Sequence, residues 1–218
     1  MKRPRICAVI VNNDLEAVKG VEEFVELFEV RIDLIGDGWQ KWVKQLEKPW
    51  IACNRSVKEG GSWAENEARR IEKLLQATEL GANIVDIELD AKNLERIVCF
   101  IKKRAKCLLS VHNLKETPPL DEMTRIIQRQ LKAGADICKI VTTAQKFEDN
   151  WTNLQLISEF PKVKIVSFAM GPLGLISRIL SPMAGGDLTY ASIEEGRESA
   201  SGQLTVRNLR NLYEMVGE

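Results

Sequence analysis

Short apolar runs alternate with longer amphipathic patterns along the whole chain of 218 residues. The runs are rich in Val and Ile and mostly lack polar alternation, which is typical of parallel strands covered on both faces. Eight βα units in about this length predict an α/β fold, a single-domain (β/α)8 TIM barrel over residues 1–218. A doubly wound open sheet is the alternative, although no GxGxxG follows the first run. The predicted strands are Arg5–Val11, Phe28–Asp33, Ile51–Asn54, Ile84–Glu88, Cys107–His112, Ile137–Thr142, Lys164–Phe168 and Leu188–Ser192.

Capping signals and periodicity predict helices between these strands. Ser62 and Glu65 have the spacing of a capping box, so we expect a helix that begins there and ends near Gly81. A second clear pattern ends at Gly134. The two junctions resemble each other in sequence, which places Asp86 and Lys139 at the same depth in their strands. Weaker helical patterns cover Asp14–Leu27, Gly38–Leu46, Ala91–Lys103, Gln145–Phe160, Leu173–Leu180 and Thr205–Met215.

The charge balance argues against several classes of partner. Lys and Arg total 31, and Asp and Glu total 31, so no bulk field attracts nucleic acid or an anionic membrane. No apolar stretch approaches the roughly 18 residues of a membrane span. The five cysteines show no CxxC spacing, which favours a reducing compartment and argues against a zinc site. We expect a cytoplasmic protein that binds neither nucleic acid nor membrane and holds no metal.

One lysine stands where a buried strand favours an apolar residue. Lys139 lies inside the run Ile137-Cys138-Lys139-Ile140-Val141. Burial removes the hydration of an ammonium group, so we expect a lowered pKa for Lys139 and an available free amine. Such an amine is the nucleophile of Schiff-base catalysis. The alternative is a side chain that reaches solvent or pairs with an acid at the strand end.

Polar residues collect at the carboxyl ends of the predicted strands, where barrels carry out their chemistry. Each has an ordinary explanation by itself, such as a strand-end ion pair or a turn. Together they surround one histidine and one core lysine, which favours a site that processes a carbonyl compound. The set comprises Glu29, Arg31, Arg55, Glu59, Asp86, His112, Lys139, Arg178, Ser199 and Gln203.

These residue types are sufficient for one kind of reaction. Lys139 can condense with a ketone to give an iminium, which acidifies the neighbouring C–H bond. His112, with an ordinary pKa of about 6.5, can remove that proton and return it to a leaving group. Glu59 can orient the imidazole, and Arg178 can bind a substrate carboxylate with its guanidinium fork. Hydroxyl groups would be held by Glu29, Arg31 and Arg55.

Seven short motifs follow one another from the second strand nearly to the end of the chain. They are Glu29-Val30-Arg31-Ile32-Asp33, Arg55-Ser56-Val57-Lys58-Glu59-Gly60-Gly61, Asp86-Ile87-Glu88, Ser110-Val111-His112-Asn113, Lys139-Ile140, Met170-Gly171-Pro172-Leu173-Gly174-Leu175-Ile176-Ser177-Arg178 and Ser199-Ala200-Ser201-Gly202-Gln203. Any one of them is common. The ordered set resembles the type I 3-dehydroquinase family.

The resemblance implies dehydration of 3-dehydroquinate to 3-dehydroshikimate in the shikimate pathway of aromatic amino-acid biosynthesis. The reaction would pass through a covalent imine, without a metal or organic cofactor. Lys139 would be the Schiff-base lysine, His112 the proton donor and acceptor, and Glu59 the support of His112. Asp86 matches an acid placed behind the site, and the family also implies a homodimer. The implied substrate-binding residues are Glu29, Arg31, Arg55, Arg178 on the carboxylate, Ser199 and Gln203.

Two other functions are compatible with a barrel lysine. A class I aldolase usually acts on sugar phosphates, and Gly185-Gly186 is the one feature that would suit a phosphate. A non-catalytic barrel that binds a carboxylate metabolite would form no covalent adduct and would not need Lys139.

The segment that follows Arg178 has two possible roles. The stretch Ile179–Asp187 is rich in small residues and contains Pro182. It is a candidate lid over the site, and the alternative is a plain connection into the last strand.

Overall fold

The computed structural model describes residues 3–217 and contains eight parallel strands in one sheet. Neighbours pair in sequence order from the first strand to the seventh, and the eighth pairs with the first. The sheet is nearly closed, because the amide of Asp187 donates to the carbonyl of Ile165, at the start of the seventh strand, at 2.7 Å. This confirms the (β/α)8 barrel and excludes the open sheet. The strands are Ile6–Ile10 (β1), Leu27–Arg31 (β2), Trp50–Cys53 (β3), Ile84–Glu88 (β4), Lys106–His112 (β5), Ile137–Thr143 (β6), Ile165–Met170 (β7) and Thr189–Ser192 (β8).

Helices connect the strands and cover the outside of the barrel. The α-helices are Leu15–Lys19 (α1), Ile32–Ile35 (α2), Trp39–Trp42 (α3), Glu67–Glu79 (α4), Leu94–Ile101 (α5), Leu120–Lys132 (α6), Asp149–Glu159 (α7), Leu175–Leu180 (α8) and Val206–Met215 (α9). Short 3₁₀ helices lie at Glu22–Phe24, Val43–Gln45, Val57–Glu59 and Pro172–Gly174. Over residues 3–217, none of these helices has the length and apolar character needed to cross a membrane.

The interior of the barrel is apolar at the amino ends of the strands and polar at the carboxyl ends. Side chains two residues apart on a strand share a face, so each strand contributes successive layers to the interior. The lower layer includes Leu27, Ile84 and Ile137, which are buried in one apolar cluster. Two residues further along the same strands lie Glu29, Asp86 and Lys139. The alternation thus supports a charged site on an apolar floor.

Two helix-to-strand junctions have the same geometry. Gly81 and Gly134 follow α4 and α6 with φ angles of +93° and +92°, a left-handed conformation that strains other residues. Two residues later, the side chains of Asn83 and Asp136 accept hydrogen bonds from the backbone amides of Trp50 and Cys107, near the start of the preceding strands. Because the junctions match, β4 and β6 begin at equivalent levels in the barrel. Asp86 and Lys139, each two residues after the start of its strand, therefore lie at the predicted common depth.

The predicted capping box is wrong. Helix α4 begins only after Asn66, whose side chain accepts hydrogen bonds from two amides of the first turn at 2.7 and 3.3 Å. Ser62 lies outside the helix because its amide donates to the carboxylate of Asp33 at 3.0 Å. Glu65 also precedes the helix. The contact between the Ser62 amide and Asp33, which follows β2, therefore overrides the local capping signal.

Several predicted elements are too long. The pattern Asp14–Leu27 divides into α1 and a 3₁₀ helix, and Leu27 already belongs to β2 because its side chain is buried in the barrel interior. The second strand ends at Arg31 rather than Asp33, which lies in α2. The pattern Gly38–Leu46 likewise divides into α3 and a 3₁₀ helix. Burial in the sheet determines these boundaries, and the local periodicity of the sequence does not indicate which residues are buried there.

The two candidate caps of α4 can be distinguished by their effect on stability. Replacing Asn66→Ala removes two hydrogen bonds to the first turn and should lower the free energy of unfolding by about 1 kcal/mol. Replacing Ser62→Ala leaves its backbone contact intact and should change stability by less than about 0.5 kcal/mol. Urea denaturation of both variants provides the measurement, and a larger loss in Ser62→Ala would restore the capping box.

Candidate active site

Nine of the ten predicted site residues line one cavity of about 150 Å³ at the carboxyl ends of the strands. The tenth, Asp86, is buried against the ammonium group of Lys139. Residues far apart in the chain therefore converge on one small volume. The nine are Glu29, Arg31, Arg55, Glu59, His112, Lys139, Arg178, Ser199 and Gln203.

Lys139 lies between two carboxylates. Its Nζ is 2.9 Å from Oδ2 of Asp86 and 3.5 Å from Oε1 of Glu29, and the residue is only 4% exposed. The ring of Tyr190 lies beneath the ammonium group, with 4.2 Å between Nζ and the ring centroid. A cation over an aromatic face is attracted by the ring's quadrupole. This burial excludes a side chain that reaches solvent, whereas the other alternative, pairing with an acid, is observed with Asp86 and Glu29.

The expected lowering of the pKa of Lys139 is wrong. Burial alone would lower this pKa, but the negative charges of Asp86 and Glu29 outweigh burial and hold it above its ordinary value. Lys139 is therefore an ammonium ion in the unliganded site at neutral pH. Burial would raise the pKa of Asp86, but the positive charges of Arg55 and Lys139 hold it well below its usual range.

Arg55 and Ser110 complete the environment of Asp86. Nη2 of Arg55 lies 2.7 Å from Oδ2 of Asp86, and its Nη1 donates to Oγ of Ser110 at 2.6 Å. The Ser110 hydroxyl in turn donates to Oδ1 of Asp86 at 2.6 Å. Both oxygens of this buried carboxylate are thereby satisfied, as a buried charge requires.

His112 is hydrogen-bonded to Glu59, with 2.8 Å between Nδ1 and Oε2. Burial and the positive charges of Arg55 and Lys139 hold the pKa of His112 well below its usual value, although Asp86 acts in the opposite direction. Burial also raises the pKa of Glu59 to about 8, although Arg55 acts to lower it. The imidazole is therefore neutral at physiological pH, and Glu59 controls which ring nitrogen carries its hydrogen.

Arg178 is a buried cation whose charge has no acidic partner among residues 3–217. It is 1% exposed, and its Nε and Nη2 atoms make no hydrogen bond in the described chain. Its guanidinium carbon lies 4.3 Å from the ring centroid of Phe168. Burial lowers the pKa of Arg178 to about 10. A buried guanidinium with free donors on the wall of a cavity is suited to an anionic group of a ligand.

The other predicted binding residues are held by neighbours. Arg31 makes a two-point contact with the carboxylate of Asp33, at 2.9 and 2.7 Å. Ser199 donates from its amide and its hydroxyl to Oε1 of Gln203, at 2.8 and 3.2 Å. Within residues 3–217, the side-chain nitrogen of Gln203 and Nη1 of Arg31 stay available to a ligand.

The segment Ile179–Asp187 is not a lid over this cavity. Pro182, Gly185 and Gly186 line a separate cavity of about 290 Å³ near Arg5, at the amino ends of the strands. The segment is a connection into β8, and its two glycines are therefore at the wrong end of the barrel to hold a substrate phosphate.

The loop between β8 and α9 covers the site instead. It contributes Ser199 and Gln203 to the cavity. Gly202 has a φ of +77°, and a Cβ added there would lie 2.7 Å from the carbonyl oxygen of Gly171. The amide of Gly171 donates to the carbonyl of Ser201 at 3.2 Å. Only glycine permits this close approach, which joins the loop to the segment that precedes Arg178.

Several residues of the site were missed in the sequence. Asp33 binds Arg31 and also accepts from the backbone amide of Arg55 at 3.2 Å. Ser110 lies two residues before His112 on one strand, and that spacing was a usable signal. Tyr190 gave no signal, because an aromatic residue in a strand is ordinary core.

Glu29, Cys53 and Asp86 present donor atoms within 4.8 Å of one another. The ammonium group of Lys139 already neutralises the two carboxylates, and Arg55 contacts Asp86 as well. A divalent cation would have to displace these charges, so we assign no metal to this cluster.

Fold and cavity together define the class: a (β/α)8-barrel enzyme with a buried lysine, a neutral imidazole and an unpaired guanidinium at the carboxyl ends of its strands.

The chain belongs to the type I 3-dehydroquinase family, which matches residues 6–218. A curated 3-dehydroquinate dehydratase of Dehalococcoides mccartyi (strain CBDB1) is 42% identical over 216 residues, covering 99% of this chain and 97% of the relative. One from Methanococcus maripaludis (strain C5) is 34% identical and covers 97% and 99%. The resemblance seen in the motifs is confirmed, and the enzyme is a hydro-lyase.

Solved structures agree with this assignment. The 3-dehydroquinate dehydratase of Geobacillus kaustophilus superposes with a TM-score of 0.86 at 25% identity, covering 100% of this chain and 93% of that one. The enzyme of Aquifex aeolicus gives a TM-score of 0.81 at 26% identity, with coverage of 98% and 99%. The barrel and the order of its elements are thus those of the family.

The single histidine of the chain makes the Glu59–His112 pair directly measurable by ¹⁵N NMR. The imidazole should be neutral between about pH 6 and 8, because its pKa is lowered. As pH rises through about 8, Glu59 ionises and the hydrogen should move to Nδ1. In Glu59→Gln this change of tautomer should disappear. A protonation midpoint at or above about 6.5 in the unmodified enzyme would contradict the described environment.

Proposed function

We propose that this enzyme dehydrates 3-dehydroquinate to 3-dehydroshikimate through an imine on Lys139, with His112 as the general base and acid. The observation that carries the proposal is the cavity itself. A buried lysine, a neutral imidazole and a buried guanidinium with free donors line a volume of about 150 Å³. The family assignment supplies the substrate class, and the cavity supplies a role for each group.

Arg178 would orient the substrate by its carboxylate. The guanidinium is buried, and Nε and Nη2 have no partner in the described chain. A carboxylate can accept from both atoms at once, which gives direction as well as charge pairing. Such a pair in a buried site is favourable because Arg178 is already desolvated, so that part of the desolvation cost is met during folding. Glu29, Arg31, Arg55, Ser199 and Gln203 would contact the hydroxyl groups.

Imine formation requires Lys139 to lose a proton first. Its ammonium form is stabilised by Asp86 and Glu29 at 2.9 and 3.5 Å, so the free amine is scarce before substrate binds. His112 is a neutral base on the same cavity wall and would accept the proton. The lone pair of Nζ then attacks the ketone carbon, and the carbonyl oxygen leaves as water. The resulting iminium keeps a positive charge near the carboxylates that held the ammonium.

The elimination then uses His112 twice. Nε2 would remove a proton from the carbon next to the iminium, and the electron pair of that C–H bond moves towards nitrogen to form an enamine. The enamine expels the hydroxyl group from the next carbon, and His112 returns the proton so that it leaves as water. Addition of water to the imine releases the product and frees Lys139. Nε2 can act as the base only while Nδ1 carries the hydrogen bonded to Glu59, which requires Glu59 to be ionised, so turnover should rise as pH rises through about 8.

The two alternatives fit the site less well. An aldolase acting on a sugar phosphate would need a phosphate site, but Gly185 and Gly186 line the cavity at the other end of the barrel, and the paired donors of Arg178 suit a carboxylate. A purely carboxylate-binding barrel would use Arg178 but gives no role to Lys139. A homodimer, a cytoplasmic location, one catalytic domain over residues 1–218 and independence from cofactors stay predictions.

The test of this mechanism is the variant His112→Ala. It should lose turnover by about 10²- to 10⁴-fold, the range typical of general acid–base catalysis, measured by absorbance of the conjugated product. The imine should still form, though more slowly, because water can take the Lys139 proton when His112 is absent, and intact mass after borohydride reduction should show the covalent adduct. Lys162→Ala, an exposed lysine just before β7 at the amino ends of the strands, is the control. Near-normal turnover in His112→Ala would refute His112 as the proton carrier.

A further inference from the structure

Helix α4 carries a buried arginine that does not line the cavity. Arg70 is 2% exposed, although it lies on a helix that covers the outside of the barrel. Its Nε and Nη2 atoms donate to the two carboxylate oxygens of Glu67 at 2.8 and 2.9 Å. Its Nη1 donates to the carboxylate of Glu88 and, at 3.0 Å, to the backbone carbonyl of Asn54. Two nitrogens of this guanidinium thus bind Glu67 on the same helix, and the third binds Glu88 on β4 and the loop that follows β3.

The contacts of Arg70 bracket Arg55. On one side, Arg70 binds the carbonyl of Asn54. On the other side, Glu88 accepts from the amide of Ser56 at 3.1 Å, and Arg70 holds Glu88. The backbone of Arg55 therefore lies between two fixed points that both depend on one side chain.

Glu88 also competes for the Arg55 guanidinium. Oε1 of Glu88 lies 3.4 Å from Nη1 of Arg55, while Asp86 lies 2.7 Å from Nη2. Glu88 is 5% exposed, so its charge needs a close cation. Arg70 supplies that cation, and Arg55 is left to bind Asp86 and Ser110. Without Arg70, the buried charge of Glu88 would draw Arg55 away from them.

We propose that Arg70 is a positioning residue for the reaction, which acts by neutralising Glu88 so that Arg55 is held against Asp86. This inference rests on the proposed function. Through Arg55 the effect extends to the catalytic pair, because Nη1 of Arg55 lies 3.5 Å from Oε2 of Glu59, the oxygen bonded to His112. A buried chain of alternating charges thereby connects α4 to Lys139.

The experiment is a double-mutant cycle on Arg70 and Glu88 in the full-length enzyme. Arg70→Met should lower kcat by about tenfold to a hundredfold, the equivalent of one lost buried hydrogen bond to a charged group. Arg70→Lys should recover part of that loss. In Arg70→Met/Glu88→Gln, the competing charge is removed while the amide oxygen still accepts from Ser56, so kcat should rise above that of Arg70→Met. Circular dichroism and thermal melting establish that each variant is folded.

The neighbouring arginine provides the matched control. Arg69 is exposed and pairs with Glu65 at 3.3 Å on the solvent side of α4, so Arg69→Met should keep kcat within about twofold. A role in helix packing alone would not be rescued by Glu88→Gln. The inference is overturned if Arg70→Met keeps the wild-type kcat, or if the double variant is no faster than Arg70→Met. Absence of turnover in the wild type would instead overturn the proposed function, and this inference with it.

Discussion

The ammonium group of Lys139, held between Asp86 and Glu29 in the barrel interior, is the interaction on which the rest of the site depends. A buried ion pair costs several kcal/mol of desolvation per charge and is stable only when further hydrogen bonds satisfy both partners. Here Arg55 and Ser110 provide those bonds to Asp86. Removing any one of these groups would leave a buried charge or acceptor unpaired, which is why the charged residues form one network rather than separate pairs.

The barrel makes this network possible by its layering. Inward side chains alternate with outward ones, so an apolar layer at the amino ends supports a polar layer at the carboxyl ends. Matching junctions at Gly81 and Gly134 set β4 and β6 at equivalent levels, and Asp86 meets Lys139 across β5. The close approach at Gly202 then joins the covering loop to the segment that carries Arg178. Rigid strands thus hold the charged groups, and loops complete the cavity.

Much of this arrangement could be predicted from the sequence. Apolar runs without polar alternation indicated the parallel strands, and polar residues at their ends indicated the site. The direction of the pKa shift of Lys139 could not be predicted, because it depends on two carboxylates from other strands. Asn66, and not the predicted Ser62, caps α4, because Asp33, which is distant in sequence, binds the Ser62 amide. Ile179–Asp187 has the composition of a lid, but only the fold shows at which end of the barrel it lies.

The central claim is that Lys139, despite its stabilised ammonium form, becomes the nucleophile that binds substrate covalently. The most direct measurement is borohydride reduction in the presence of 3-dehydroquinate, followed by peptide mass mapping. The account predicts one reduced adduct per chain on the peptide that contains Lys139, and none in Lys139→Met. An unchanged protein mass, or an adduct on any other residue, would contradict it.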